Sequence, residues 1–342
     1  MKWYENPACD NGIVISSRVR LARNLKNYLF PALLGEVEAS EMINEVSSSV
    51  KNDKTVVGER FTRYDLDDKP ETYLHELLEK HIISPELLKK KNKKSVLLMD
   101  DEAIGIMLNQ EDHIRIQTIT SGQSIGESFS LANNVDDLIE ESVEYAFDDE
   151  LGYLTACPTN TGTGLRASYM LHLPMLEMTG RIGSVLLAIN KFGMAVRGIY
   201  GEGTEPLGSI YQLSNQITLG KSESEITEGL ESVMKKIVEQ ETIIRERFLA
   251  EKKDELEDKF YRSYGILRNA RRISAPEAMS LLSEVRLGYL MGLIDEKRPS
   301  KTFYNLMMDI QPGSTMNLAG IGAKPADFEA VRAEYIRSAF SS

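Results

Sequence analysis

The sequence predicts an α+β protein: a mainly antiparallel sheet flanked by helices, followed by a small all-α C-terminal domain. Two observations support this. Short alternating segments joined by tight turns follow one another through the first 220 residues, which favours sequential hairpins. After Gly220 the composition changes to a long, charge-dense stretch with helical periodicity. We therefore expect one domain at 1–264, including a long connecting helix from about residue 222, and a second at 265–342.

Three strands are predicted in succession. A hairpin is predicted where D-D-E-A joins the apolar segments K-S-V-L-L-M and I-G-I-M-L. A third strand is predicted for H-I-R-I-Q-T-I, in which polar and apolar residues alternate. In an extended strand successive side chains point to opposite faces. Arg115 and Gln117 should therefore share one face, with Ile114 and Ile116 on the other.

Helix signals follow. Ser130 is expected to cap a helix that runs to about Tyr145, and the later segment G-M-A-V-R-G-I-Y predicts a strand that enters a glycine-rich loop. From Ser222 to about Tyr264 there is no proline, and apolar residues recur at helical spacing. This stretch predicts one or two long helices.

A further helix is predicted near the start of the C-terminal region. Ser274 is a candidate N-cap, Pro276 lies in the first turn, and Glu277 stands at the capping-box position. The Met and Leu residues of this helix fit either a domain core or a face that binds a second copy of the chain: Met279, Leu282, Leu290 and Met291.

Composition narrows the class of protein. The net charge of −12 argues against binding to nucleic acid through phosphate contacts, and it suits a cationic partner. The two cysteines, Cys9 and Cys157, stand in different contexts and imply no disulfide framework, which fits a reducing cytosol. The N-terminus does not resemble a signal peptide, and no apolar run is long enough for a membrane span.

Common nucleotide-binding motifs are missing. The sequence contains no G-x-x-x-x-G-K-[ST] loop and no H-R-D or D-F-G signature. Gly162, Gly164 and Ala167 fit G-x-G-x-x-A only nominally, because no clean strand precedes them and no acidic residue follows at the ribose position. A dinucleotide site is therefore not expected.

Five arginines in patterned segments point to a phosphate site instead. Arg18 and Arg20 share a face if S-S-R-V-R is extended, and two guanidiniums on one face repel each other unless an anion lies between them. The planar fork of arginine suits phosphate oxygens. With Arg115, Arg166 and Arg197 the chain has enough such forks to hold a triphosphate.

Two glutamates suit a cationic acceptor. Glu111 stands at the start of a predicted strand, and Glu202 lies in the glycine-rich loop. A guanidinium is a poor nucleophile, so an enzyme that phosphorylates it must hold its plane and remove a proton. Paired carboxylates do both, as a bidentate grip and as a general base. The pattern indicates phosphoryl transfer from ATP to an arginine-like group.

Two further residues leave alternatives open. Cys157 precedes a glycine-rich turn and is either an ordinary thiol or a residue near the substrate, with Arg166 as a source of positive charge. His81 either stacks on a nucleotide base or lies on a helix surface.

The motifs together resemble the phosphagen (guanidino) kinase family. Four motifs occur in the family's order between about residues 11 and 220: S-S-R-V-R-L-A-R-N, N-Q-E-D-H-I-R, C-P-T-N-T-G-T-G-L-R-A-S and V-R-G-I-Y-G-E-G. The match is closest to the bacterial protein arginine kinase branch. The first motif begins at Ser16, which leaves no room for the N-terminal helical domain of the small-substrate enzymes, and the tail after Tyr264 resembles that branch's dimerisation domain.

The resemblance implies roles for particular residues. It assigns Glu111 and Glu202 to catalysis, places Cys157 on the substrate side, and implies Mg²⁺ carried by the nucleotide rather than bound directly by protein ligands. It assigns the following residues to ATP, with the histidine near the adenine: Ser16, Ser17, Arg18, Val19, Arg20, His81, Arg115, Arg166, Ala167, Ser168, Tyr169, Met170, Arg197, Gly198, Ile199, Tyr200, Gly201 and Glu202.

The chain departs from the family pattern at three places. Gln110 stands where the family often has Glu, which weakens a water-mediated Mg²⁺ contact, and Tyr200 replaces an arginine of the small-substrate enzymes. The branch's phosphoarginine-binding tail motif, R-D-x-x-R-A, aligns with Phe328 to Ala333, where only Arg332 and Ala333 match.

The resemblance implies a cytosolic, homodimeric protein arginine kinase that uses ATP with Mg²⁺ on protein substrates with exposed arginines. It also implies a role in the stress response, with a zinc-binding activator, a heat-shock repressor and a Clp-type unfoldase-protease as partners. Two alternatives stay open. A small-molecule guanidino kinase would prefer free arginine, and an inactive adaptor would bind ATP or phosphoarginine without transfer.

Overall fold

A computed structural model of the chain describes residues 1–51, 56–198, 206–320 and 323–341. Within them the strands are β1 (Val14–Arg23), β2 (Phe61–Asp65), β3 (Ser95–Met99), β4 (Ile104–Leu108), β5 (Ile114–Ser121), β6 (Phe147–Asp148), β7 (Gly152–Tyr153), β8 (Leu165–His172), β9 (Met194–Arg197) and β10 (Ile210–Asn215).

The α-helices of the described residues are α1 (Glu36–Val50), α2 (Val56–Glu59), α3 (Glu71–Glu79), α4 (Pro85–Lys89), α5 (Ile125–Glu140), α6 (Pro174–Met178), α7 (Ile182–Asn190), α8 (Glu223–Glu251), α9 (Lys253–Asn269), α10 (Ala275–Leu290), α11 (Phe303–Asp309), α12 (Pro312–Ala319) and α13 (Pro325–Ser341). Two short 3₁₀ helices, Trp3–Glu5 and Pro7–Asp10, precede β1. Among the described residues, no helix combines the length and the apolar character that crossing a membrane requires.

The strands form the antiparallel sheet that the sequence predicts. Eight of them pair in the order β2-β3-β4-β5-β1-β8-β10-β9, and every neighbouring pair is antiparallel. β3 and β4 are the predicted hairpin, and β5 is the predicted third strand. The α+β fold class is therefore confirmed.

The two faces of the sheet are covered differently. On one face α5 and α8 pack over buried side chains such as Val19, Leu21 and Tyr169, which form the main core. On the other face a smaller cluster, which we call the α3–α4 lobe, packs Leu74, Leu77 and neighbours from residues 66–88 over Val96 and Met107. The lobe packs over β3 and β4 and contacts Tyr64 of β2, and the central strands beside it border a cavity on this face.

The helix predicted to start after Ser130 begins earlier. α5 starts at Ile125 and ends at Glu140, so Ser130 lies inside the helix, where its hydroxyl donates to the carbonyl of Gly126 over 3.0 Å. The reason is tertiary: Ile125 is buried, and its apolar side chain joins the stripe of α5 that packs on the sheet. The prediction from Ser130 was wrong because a serine in a helix can satisfy its hydroxyl on the preceding turn.

The C-terminal half contains two long helices, as predicted, since α8 ends at Glu251 and α9 begins at Lys253. α9 runs across the expected domain boundary at 264/265. Ser274 caps α10 by accepting the amide of Glu277 over 3.3 Å. Within α10, Met279 and Leu282 are fully buried and Leu290 is half-buried, as is Met291, which follows the helix. Met279 and Leu282 thus belong to the core of this chain.

Buried polar contacts fix the C-terminal helices to the sheet domain. The guanidinium of Arg286 in α10 donates to the carbonyls of Cys9 and Gly12, each over 2.8 Å. Glu79, at the end of α3, accepts the amides of Gly313 and Ser314 over 2.7 and 2.8 Å. A carboxylate at a helix N-terminus is favoured by the unpaired amides and by the helix dipole. The start of α12 is thereby tied to the lobe that borders the cavity.

Candidate active site

A cavity of about 610 Å³ lies on the sheet face beside the α3–α4 lobe. Strands β1, β5, β8, β9 and β10 line it from below, and the segment from Leu78 to Lys89 lines its side. All five arginines that the sequence singles out reach this cavity: Arg18, Arg20, Arg115, Arg166 and Arg197. Arg18 and Arg197, which are 179 positions apart in the chain, therefore share one site.

The strand register explains this convergence. Arg20 on β1 pairs with Arg166 on β8, and on its other side β1 places Ala22 opposite Arg115 of β5. Residues that pair across antiparallel strands point to the same face. On β10, Gln212 pairs with Arg197 in the same way. The prediction that Arg18 and Arg20 share a face of the sheet is confirmed, and that face extends over five strands.

The arginines stand in an unfavourable electrostatic setting. Burial, together with repulsion from Arg115 and Arg166, lowers the pKa of Arg18 to about 9. The pKa of Arg20 is lowered well below its usual range, first by burial and then by Arg18 and its neighbours. Burial also lowers the pKa of Arg115, although nearby carboxylates oppose this. The folded chain thus concentrates positive charge that an anion would neutralise.

Unused hydrogen-bond donors support an anion or nucleotide site. The Nε atoms of Arg18 and Arg20 are buried and have no hydrogen-bond partner in the part of the chain that the structure describes. Arg18 is oriented by a hydrogen bond from its Nη2 to the side-chain oxygen of Gln117, which in turn donates to the carbonyl of His81 over 2.6 Å. Buried donors without partners are costly, so a ligand oxygen or nitrogen would stabilise them.

One end of the cavity carries the carboxylates and the thiol. Glu111 is exposed to the cavity at this end, but its carboxylate is partly enclosed. This partial burial, followed by repulsion from Asp112, raises its pKa. Cys157 hydrogen-bonds to Glu111 and lies 3.0 Å from the hydroxyl of Thr159. Glu111 and Cys157 are therefore neighbours, as expected if both face the same acceptor group.

Asp112 has a different environment from its neighbour. Its Oδ1 accepts the side-chain amide of Asn24 and the main-chain amide of Ala156, each over 2.7 Å, and it is buried. Burial raises the pKa of Asp112, and these hydrogen bonds oppose the rise. Asp112 thus fixes the loop that carries Cys157 and is a positioning residue.

His81 does not lie on a helix surface, which corrects one of its two interpretations. It follows α3 in a left-handed conformation, with φ of 59°, and is 6% exposed. Burial, then Arg18 and Arg20, lower its pKa to about 3, so its imidazole is neutral at physiological pH. A neutral ring beside the arginines is compatible with packing against a nucleotide base.

The residues of β1 and β8 that the resemblance assigned to ATP alternate between the two faces of the sheet. Ser16, Ser168 and Met170 line a small pocket next to the cavity. The intervening residues of β1 and β8 are buried on the opposite face, so only their main-chain atoms can reach a ligand: Ser17, Val19, Ala167 and Tyr169. Ser17, for example, donates to the carbonyl of Gly122 on the α5 side over 2.8 Å.

The glycine-rich loop is only partly described. Gly198 follows β9 directly, whereas Ile199, Tyr200, Gly201 and Glu202 lie outside the described residues. The predicted part of Glu202 in catalysis, together with Glu111, therefore stays a prediction.

Several lining residues were not predicted. Gln212 and Ser214 reach the cavity from β10, and Glu86 and Lys89 reach it from α4. The alternation in Y-Q-L-S-N indicates that Gln212 and Ser214 share a face, but only the pairing of β10 with β8 shows which face it is. α4 carries no such signal, because its position depends on the packing of the lobe.

The described residues offer no direct metal cage. In the described ranges no group of three or more His, Cys, Asp or Glu side chains could hold a metal ion. Gln110, at the position where the resemblance raised a question about Mg²⁺, uses its side-chain oxygen to accept from Arg115 over 2.9 Å. Mg²⁺ bound mainly to phosphate oxygens, with water as its other ligands, fits this donor set.

The degenerate tail motif is built into the C-terminal core. Arg332 is 5% exposed and donates to the carbonyls of Ile310 and Ile273 over 2.7 and 3.0 Å. Glu329 pairs instead with Arg272 at 3.2 Å. These main-chain contacts assign Arg332 a structural part in holding α13 against the end of α11.

Comparison with protein families gives two matches that together span most of the chain. Residues 41–244 match the model of the ATP:guanido phosphotransferase C-terminal catalytic domain. Residues 253–342 match the model of the protein-arginine kinase McsB C-terminal domain.

Individual relatives agree with these matches. A protein-arginine kinase from Caldanaerobacter subterraneus is 42% identical over 327 residues, covering 96% of both chains. Another from Halalkalibacterium halodurans is 45% identical, covering 98% of this chain and 94% of the relative. Among solved structures, the duplicated taurocyamine kinase from Schistosoma mansoni with bound transition-state analogue components matches with a TM-score of 0.61 and 26% identity. That match covers 72% of this chain and 35% of the longer, duplicated one.

Proposed function

This chain belongs to the ATP:guanido phosphotransferase family, and from that premise we propose that it is a protein arginine kinase. The enzyme transfers the γ-phosphoryl group of ATP to the guanidinium of arginine residues in proteins. The observation that carries the proposal is the cavity in which five arginines from four strands converge, with Glu111 at one end. The relatives that are named protein-arginine kinases support the choice of acceptor.

The chemistry follows from the side chains. The arginines hold the triphosphate and offset the negative charge that spreads over the transferred group. Glu111 holds the acceptor guanidinium and, with Glu202, accepts the proton that its nitrogen loses. The new bond joins that nitrogen to the γ-phosphorus, the bond from the γ-phosphorus to the β,γ-bridging oxygen breaks, and ADP leaves with the electron pair. Mg²⁺, when bound to the nucleotide, neutralises phosphate charge.

The wider role is also part of the proposal. We place the enzyme in the cytoplasm as a homodimer acting in the stress response, where it marks proteins for a Clp-type unfoldase-protease. A zinc-binding activator and a heat-shock repressor are its proposed partners. The family resemblance supports these assignments, and the net charge of −12 suits basic protein substrates.

The direct test is to incubate the protein with Mg-ATP and an arginine-rich folded protein, and to search for phosphorylated arginine by mass spectrometry without acid treatment. Avoiding acid matters because the P–N bond is labile. Free arginine at an equal guanidinium concentration is the comparison. Faster transfer to the protein supports the proposal, whereas preference for free arginine would identify a small-molecule guanidino kinase. Nucleotide binding with no transfer to either acceptor would identify an inactive adaptor.

A further inference from the structure

A second, small pocket lies next to the cavity and shares Arg18, His81 and Gln212 with it, but not Glu111. Its volume of about 10 Å³ is large enough for a single polar atom and too small for a ring. One wall of the pocket comes from α11, in the C-terminal helical region. Its lining includes Trp3, Ser16, Arg18, His81, Ser168 and Tyr304.

Tyr304 is the unusual member of this set. Its side chain has no exposed surface, and its hydroxyl has no hydrogen-bond partner in the part of the chain that the structure describes. The buried Nε of Arg18, at the same pocket, also has no partner there. Leaving one buried polar group unsatisfied destabilises a fold, and two at one pocket indicate a ligand atom that would satisfy them.

The position of Tyr304 is fixed by its neighbours. The amide of Phe303 donates to the carboxylate of Asp10 over 2.7 Å, and the hydroxyl of Thr302 donates to the carbonyl of Tyr4 over 2.6 Å. The ring of Tyr304 packs on Trp3 with 5.5 Å between ring centroids. The hydroxyl is therefore held in place at the pocket by contacts made elsewhere.

The orientation of the nucleotide identifies the ligand atom. Transfer takes place near Glu111, beside Ala22 on β1, so the γ-phosphate lies at that end. β1 extends from Ala22 to Ser16 over about 20 Å, at roughly 3.3 Å per residue, which is comparable to the length of an extended nucleoside triphosphate. The nucleoside therefore points towards Ser16 and Tyr304.

We propose that Tyr304, supplied by the C-terminal region, is a positioning residue of the nucleotide site and binds the nucleoside end of ATP. Its hydroxyl, together with Nε of Arg18, hydrogen-bonds a polar atom on the edge of the nucleobase. This inference rests on the proposed function. It assigns the C-terminal helices a direct part in nucleotide binding, in addition to their packing.

The test compares Tyr304→Phe with Tyr335→Phe in the full-length chain. Tyr335 lies in the same helical region, but its hydroxyl is already bonded to Asp309 and Lys301. Binding of Mg-ADP and of inorganic tripolyphosphate is measured by calorimetry, and the midpoint of thermal unfolding is recorded for each protein. Tripolyphosphate is the informative probe because it contains the phosphates without the nucleoside.

For Tyr304→Phe we expect about three- to tenfold weaker Mg-ADP binding, unchanged tripolyphosphate binding and an unfolding midpoint that is equal or higher, because an unsatisfied hydroxyl is removed. In the transfer reaction, KM for ATP should rise by more than kcat falls. Tyr335→Phe should show the reverse pattern, with lower stability and unchanged nucleotide binding.

If the wild-type protein binds both ligands, two outcomes would overturn this inference without affecting the proposed function. One is Mg-ADP binding by Tyr304→Phe that equals wild type, and the other is an equal loss of Mg-ADP and tripolyphosphate binding, which indicates general distortion of the site. A wild-type protein that binds neither ligand would overturn the proposed function and this inference with it.

Discussion

The carboxylate of Asp112 accepts the main-chain amide of Ala156 over 2.7 Å, and this hydrogen bond joins the turn before β5, which carries Glu111, to the loop that carries Cys157. Two adjacent acidic residues therefore have different tasks. Asp112 is buried and bonded within the protein, whereas Glu111 is exposed to the cavity.

This relationship predicts a pH effect. Burial, and then repulsion from Asp112, raise the pKa of Glu111, so Glu111 loses its charge at a higher pH than an ordinary glutamate. kcat/KM should therefore fall as the pH drops through that raised pKa. Asp112→Asn removes the repulsion while keeping an oxygen acceptor for Ala156. The acid limb of the kcat/KM profile, measured through the rate of ADP production, should move to lower pH. An unmoved limb would show that Glu111 does not control it.

Replacing Arg115 or Arg166 by Lys should damage catalysis more than folding. Lysine keeps the charge but loses the planar fork that binds two phosphate oxygens. We expect kcat to fall by about 10³-fold or more, as for other transition-state arginines, with a small change in thermal unfolding. Steady-state kinetics together with calorimetric melting separates the two effects. Near-normal turnover in both variants would exclude the five-arginine phosphate site.

Arg20→Met should stabilise the ligand-free protein and weaken phosphate binding. The pKa of Arg20 is lowered in the folded state, which means that the fold disfavours its charge, so removing that charge relieves repulsion with Arg18 and Arg166. Thermal unfolding is measured with and without tripolyphosphate. In wild type, ligand at 100 times its Kd should add about 2.7 kcal/mol of stability. A variant that melts lower without ligand would contradict the electrostatic argument.

The two glutamates predicted to act on the guanidinium can be separated by matched variants. Glu202→Gln keeps the size of the side chain but cannot accept a proton, so kcat should fall by roughly 10²–10⁴-fold. The Kd for nucleotide should change little, because the arginines provide most of that binding. Glu111→Gln is the companion variant. If Glu202→Gln keeps most activity while Glu111→Gln abolishes it, Glu111 alone is the catalytic carboxylate.

A homodimer through the C-terminal region is expected from the family resemblance. Met279 and Leu282 are buried within the chain, so a second copy would have to contact exposed apolar side chains such as Ile266 and Leu318, which are 43% and 50% exposed. Sedimentation at micromolar concentration should give a dimer for wild type and a monomer for a variant with glutamate at both exposed positions. A monomeric wild-type protein would refute the dimer.

Much of the site was predictable because strand periodicity is a local property. Alternation in S-S-R-V-R and H-I-R-I-Q-T-I determined that Arg18 and Arg20 share a face, and that Arg115 shares one with Gln117. Ser274 predicted the start of α10 because an N-cap depends on residues within one turn. These features require no knowledge of distant contacts.

The tertiary structure decided what depends on packing between distant segments. The pairing of β1 with β5 and β8 determined that the separate arginine faces coincide, and apolar packing rather than a capping serine determined that α5 begins at Ile125. Tyr304 lies nearly 300 residues after Ser16, yet both line one pocket. Residue type and spacing along the chain are local, so they specify which side chains carry the chemistry. Only the fold decided which distant side chains lie next to them, because burial and register are properties of the whole chain.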